Sequence, residues 1–276
     1  MPKPQRFCIY CGGPNLTKEH IWPEWLQPYL ERRVNRHGIN ITVVEPGRIS
    51  SRVEMREGDS HARKVRRVCE NCNRGWMSKL QQMAKPILLP MIQGKANRLD
   101  RKQQKIISAW ATITAMTSEF VNDEFSAIPQ TDRDSLRDNL RVPKGWRIWI
   151  GRYRWAEGVE RWTHHVMTLA EQGYEGPAGE LGHPMNTQTT TICVGQDFMV
   201  HIMSSSVDTG QSILRRWNFP DPINACLRQV HPAAASVVRW PPPRIIAPKE
   251  LYYIANTFFD RCERLLLTQA TNRIDL

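Results

Sequence analysis

Two Cys-x-x-Cys pairs, Cys8/Cys11 and Cys69/Cys72, constrain this chain more than any other feature. A tight turn between two cysteines aims both thiolates at one ion, and two such turns complete a tetrahedron. The other three cysteines, Cys193, Cys226 and Cys262, are scattered singles and read as small buried hydrophobes. An odd total of seven does not suit a disulfide framework. A redox Cys-x-x-Cys needs no second copy. The spacing therefore points to a structural Zn²⁺ held by Cys8, Cys11, Cys69 and Cys72.

Charge narrows the partner. Residues 1–100 carry 18 basic and 9 acidic side chains, a net of +9, whereas residues 101–276 carry 20 and 18, a net of +2. A localised positive field favours a polyanion, most often nucleic acid. The basic run Arg63, Lys64, Arg66 and Arg67, with Arg74 beyond the second pair, can clamp phosphates. With 41% hydrophobic and 24% charged residues the composition is that of a globular protein rather than a disordered one. The longest apolar run, Ile106 to Met116, is broken by Ser108, Thr112 and Thr114 and is too short to span a membrane. Met1 to Arg6 leads into the first pair with no apolar stretch for export. The expectation is a cytoplasmic protein without a membrane partner.

Periodicity gives a coarse map. Pro23 suits the start of a helix over Trp22–Leu30. Ile39–Val44, Ile49–Met55 and Ala62–Val68 read as strands. Asn73–Met83 reads as a helix with Trp76, Leu80 and Met83 on one face. Pro86 and Pro90 mark a connection. A helix follows over residues 102–120, and Thr131-x-x-Asp134 resembles a cap for a short helix ending near Leu140. Trp146–Tyr153, Trp162–Leu169, Thr189–Val194 and Phe198–Ser204 read as strands, the last two joined by a Gly195-Gln196-Asp197 turn. Glu250–Leu267 is amphipathic and closes the chain as a helix.

Between the pairs sits Leu16-Thr17-Lys18-Glu19-His20-Ile21-Trp22-Pro23, and after the second pair comes Asn73-Arg74-Gly75-Trp76. An acidic residue, His and Pro framed by two Cys-x-x-Cys pairs resembles the HNH endonuclease family over roughly residues 8–80. The resemblance implies a ββα-metal hairpin fastened by a Cys₄ zinc ribbon. Cys8, Cys11, Cys69 and Cys72 match the structural zinc ligands. Glu19 matches a ligand of the catalytic cation, His20 the general base, and Asn73 a further cation ligand on the final helix. Three departures are visible. His61-Ala62-Arg63-Lys64-Val65 holds no counterpart of the family's middle Asn, with His61 a substitute or a loop residue. Trp76 stands where the family commonly has Lys. Finally, 57 residues, Gly12 to Val68, separate the pairs.

The chemistry asks for these residue types on its own terms. Neutral imidazole can take a proton from water near pH 7. A carboxylate and an amide oxygen are hard ligands for Mg²⁺ or Mn²⁺. On a strand, adjacent Glu19 and His20 point to opposite faces. Bland readings stand beside these. His20 can be a surface residue, and Asn73 a turn former. His164-His165 suits a sheet better than a metal site.

The expected fold class is α+β. Residues 1–85 form an HNH-like ββα-metal/zinc-ribbon module, and 100–276 an α+β domain with an antiparallel sheet and a C-terminal helix. The expected activity is metal-dependent hydrolysis of phosphodiester bonds, in DNA before RNA. The alternative is a catalytically silent, zinc-containing nucleic-acid-binding protein. Residues 100–276 are open to substrate selection, homo-oligomer formation or regulation.

Overall fold

The computed structural model describes residues 6–30, 36–45, 48–59, 62–122, 125–154, 162–170, 185–195, 197–262 and 266–275. The N-terminal third runs as strand β1 (Leu16–His20), a 3₁₀ turn (Glu24–Tyr29), strands β2 (Arg36–Glu45), β3 (Arg48–Glu57) and β4 (Lys64–Cys69), then a bent helix. That helix has three parts: α1 (Glu70–Cys72), a π turn (Asn73–Met77) and α2 (Ser78–Ile92). Then follow β5 (Asn97–Leu99), α3 (Arg101–Ser118), α4 (Gln130–Asn139), β6 (Trp146–Arg152), β7 (Trp162–Leu169), β8 (Thr187–Val194) and β9 (Phe198–Ser205). The chain closes with α5 (Asp208–Arg215), β10 (Leu227–His231), β11 (Val238–Trp240), α6 (Pro248–Cys262) and β12 (Leu266–Asp275).

An eight-stranded antiparallel sheet has the order β10-β6-β9-β8-β7-β12-β2-β3. Strand periodicity divides its side chains between two cores. Ile148, Ile150, Ile192, Val200 and Ile202 face the core that holds Trp110 of α3. Trp149, Cys193, Met199 and Met203 face the core that holds Leu214 of α5 and Ile254 and Phe258 of α6. Helices therefore cover both faces, and every residue of β7, β8 and β9 is buried. The three single cysteines are buried as expected. Strands β2 and β3, from between the cysteine pairs, join the far side of this sheet through β12.

Four local expectations need correction. The last helix is described to Cys262, and Leu266 and Leu267, expected in it, instead begin β12, which fills the gap between β7 and β2; residues 263–265 lie outside the described residues. Hydrogen-bonding demand from two flanking strands outweighs helical periodicity there. Pro86 and Pro90 do not end a helix but lie inside α2. Leu80, Ala84, Ile87, Leu88 and Met91 hold α2 in the core, while Pro86 is exposed, so the carbonyl its ring leaves unbonded can meet water. Met83 is 38% exposed and lies off that buried face. Finally, α4 begins behind Pro129 with no side-chain cap, and Thr131 lies within its first turn. By contrast, α3 starts at a true capping box, Asp100 with Gln103.

Among the described residues no helix is long and apolar enough to cross a membrane.

Candidate functional site

The two cysteine pairs meet. The Sγ atoms of Cys8, Cys11, Cys69 and Cys72 all lie within 4.8 Å of one another, and those of Cys11 and Cys69 are 3.5 Å apart. Ligand sulfurs about 2.3 Å from a tetrahedral Zn²⁺ lie roughly 3.8 Å apart, so the four thiols can hold a metal such as zinc. Each pair sits on a locally determined turn. In the first, Gly12 adopts a left-handed φ of 69° and its N–H donates to the Cys8 carbonyl at 2.9 Å. In the second, Cys69 caps α1, its Sγ accepting from the Cys72 N–H at 3.5 Å. Ile9 N donates to Arg67 O at 2.9 Å and joins the two turns.

The first turn is anchored to the body of the protein. Tyr10 is fully buried, meets Trp76 edge-on at 5.0 Å, and its hydroxyl donates to Ile113 O on α3 at 3.4 Å. Gln81 Oε1 accepts from Trp25 Nε1 at 3.0 Å and from Trp110 Nε1 at 3.1 Å, linking the 3₁₀ turn, α2 and α3. Trp22, Trp76 and Trp110 thus serve packing.

β1 pairs antiparallel with β4, and the helix that starts at Glu70 follows β4 directly. The register is Thr17↔Val68, Glu19↔Val65 and His20↔Lys64, with a bulge in between. The bulge lets Val65 and Val68, three apart in sequence, both be buried. Glu19 and His20 are adjacent on β1, both half-buried, and both feel the Glu24 carboxylate. Asn73 opens the π turn, and its Nδ2 donates to Thr17 Oγ1 at 3.1 Å. Thr17 Oγ1 in turn donates to Val68 O at 3.1 Å. The Asn73 amide is also near enough to the Glu19 carboxyl to favour its ionised form. Glu19 and Asn73 are therefore neighbours, with His20 next along β1 beside Lys64.

Electrostatics follow from this placement. Burial pushes the Glu19 carboxyl up to about 7, helped by Glu24 and opposed by the Asn73 amide. A divalent cation at that carboxylate would favour its ionised form. Burial and the Lys64 ammonium lower the His20 pKa, with Glu24 pulling the other way. The imidazole is thus mostly neutral at pH 7 and able to accept a proton.

The basic residues divide. Lys64 and Arg66 are exposed on β4, with Arg66 Nε donating to Leu16 O at 3.1 Å. Arg74 is exposed and pairs with Glu70 at 2.9 Å. Arg67 lies over the Phe120 ring at 5.1 Å, and Arg63 turns inward to Val121 O at 3.4 Å. His61 lies outside the described residues.

Sequence reasoning did not single out Thr17, which ties Asn73 to β1, nor the π turn that begins at Asn73. Gly75, with its non-helical ψ of −111°, was the available signal for a break in the helix. His164 and His165 are buried on adjacent positions of β7, as a sheet reading expects.

No family model, no curated protein and no solved structure matches this chain.

Proposed function

We propose that the chain is a metal-dependent, HNH-like endonuclease that hydrolyses phosphodiester bonds, DNA being the substrate class. The carrying observation is that Asn73, next after a zinc-ligand cysteine, hydrogen-bonds Thr17 on the strand that carries Glu19 and ends in His20. Two strands and a helix, fastened at one end by four thiols, thereby hold a carboxylate, an amide and an imidazole in one small unit.

In this reading Glu19 and the Asn73 amide oxygen would hold Mg²⁺ or Mn²⁺, ions that keep several waters and share the remaining positions with substrate phosphate. When bound, the cation supplies Lewis-acid polarisation of the phosphate and charge neutralisation at the leaving oxygen. His20 accepts a proton from the attacking water. The water oxygen bonds to phosphorus as the bond to the leaving oxygen breaks. Exposed Lys64, Arg66 and Arg74 bind flanking phosphates and position the strand. Arg63 and Arg67, which pack inward, orient β4 rather than meet substrate.

A second reading, a silent zinc-containing nucleic-acid-binding protein, draws on the absence of Asn from residues 61–65. Incubation of plasmid DNA, single-stranded DNA and RNA with Mg²⁺, Mn²⁺ or Ni²⁺, each against chelator, separates the two. Cation-dependent cutting supports the nuclease. Salt-sensitive binding without cutting under any cation supports the second reading.

A further inference from the structure

The carboxyl-terminal part of the chain holds a cleft that the nuclease reading does not use. It measures about 480 Å³, the size of a small-molecule site. It lies between the segment entering β6, the end of α5 and the end of β10. Its polar walls are Lys144, Arg147, Arg215, His231, Gln211 and Gln229, and none of its lining residues is acidic. Val142 and Pro232 supply accessible apolar surface, and the buried Trp146 and Leu214 back the wall from within the core.

The cations are held in different ways. Arg147 is fixed: its Nη1 donates to Leu214 O at 2.7 Å and to Arg215 O at 3.1 Å, its Nη2 donates to Gln229, and its guanidinium lies 5.0 Å over the Trp149 ring. It closes the carbonyl end of α5 and leaves a permanent positive charge in the wall. Lys144 and Arg215 are exposed and have no carboxylate partner among the described residues. Trp146 is 2% exposed, and its Nε1 donates to Asp132 Oδ2 at 2.7 Å, so its indole is fixed. A fixed cation, two exposed cations and an accessible apolar edge at Val142 and Pro232, with no carboxylate in the lining, make a receptor for an anion with an apolar body. Gly145, at a φ of 80°, lets the chain turn between Lys144 and Trp146; a Cβ there would sit 2.7 Å from Ser205 O.

We propose that this cleft binds a small organic phosphate of mononucleotide size, with Lys144 and Arg215 meeting the phosphate and Val142 and Pro232 meeting the organic body. The proposal is independent of the nuclease reading, because its readout is binding.

The test is thermal melting and calorimetric titration of the full chain with adenosine or guanosine 5′-monophosphate, inorganic phosphate and the two nucleosides. A mononucleotide at millimolar concentration should raise the Tm by roughly 3 °C, with inorganic phosphate weaker and the nucleosides silent. Lys144→Glu and Arg215→Glu should each weaken mononucleotide binding by about tenfold or more while leaving the ligand-free Tm unchanged, since both side chains are exposed. Three results overturn the proposal: no shift with either mononucleotide, a shift that survives the double substitution, or a response to a single-stranded oligonucleotide alone. Equal binding of inorganic phosphate and mononucleotide overturns it as well, because the apolar wall would then contribute nothing.

Discussion

Asn73 Nδ2 donates to Thr17 Oγ1 across 56 positions of sequence at 3.1 Å, tying the turn after the second cysteine pair to the strand after the first. The bond fixes Asn73 relative to Glu19. It also makes the π turn part of the site rather than an irregularity of the helix.

Thr17→Val removes that acceptor and the donor to Val68 O while keeping the shape of the side chain. It should cost about 1 kcal/mol per lost hydrogen bond. In the proposed nuclease it should reduce cation affinity by about tenfold, as loss of a group that orients a ligand does. Asn73→Ala should reduce it further. Urea unfolding gives the stability, and activity against Mn²⁺ concentration gives the affinity. Unchanged Mn²⁺ dependence in both variants would remove Asn73 from the cation site.

Metal analysis of the purified chain should find one zinc per chain, bound by the four thiols. Cys69→Ser or Cys72→Ser should release it and lower the Tm by on the order of 10 °C, because metal binding to such a module is part of its folding free energy. The module is packed on α3 through Tyr10 and Trp110, so the loss should reach the main core. Full stability and no zinc in the wild-type chain would contradict a structural metal.

Stability should fall on mild acidification. His164 and His201 are fully buried, and burial holds each at about 3 against an ordinary value of 6.5. Their Nδ1 atoms meet Thr190 Oγ1 at 2.8 Å and Thr191 Oγ1 at 2.9 Å. The unfolded chain takes up these protons near pH 6.5, and the folded chain only near pH 3. The stabilisation is therefore complete above about 6.5 and is lost as pH drops through that window, by about 1.4 kcal/mol per unit per histidine. Urea midpoints at pH 7.5 and 5.5 read the effect. A midpoint that does not fall would contradict it.

Glu119 and Arg133 form a buried pair, 1% and 3% exposed. The carboxylate also accepts from Ala127 N, Ile128 N and Ser126 Oγ, and the guanidinium donates to Met116 O and Ile128 O. Glu119→Ala leaves a buried guanidinium without its counter-charge and should cost about 3–5 kcal/mol. Replacing both residues together should cost less than the sum of the single changes, which a double-mutant cycle measures. Additivity would mean that the two do not act as a pair.

Much of the local structure was legible in the sequence, because β-branched runs and turn signals are local features. β6 to β9 follow from them, while the meeting of the cysteine pairs was legible from their ligand spacing; Gln196 of the expected turn lies outside the described residues. The features that escaped are decided by distant partners. β12 is a strand because β7 and β2 flank it, and α2 continues through two prolines because its other face is buried against α3. The joining of β2 and β3 to the main sheet depends on residues more than 200 positions away. At the site, residue types pointed to Glu19, His20 and Asn73 as candidates. The contact between Asn73 and β1 depends on a bulge and a π turn, and neither has a residue signature stronger than Gly75.

In the proposed nuclease His20 serves as the base. The most direct test of that role is the rate of plasmid cleavage by His20→Ala relative to wild type in Mn²⁺, with DNA affinity measured on the same preparations. Cleavage should fall by about a hundredfold or more with DNA affinity unchanged. Equal cleavage by the two proteins would contradict it.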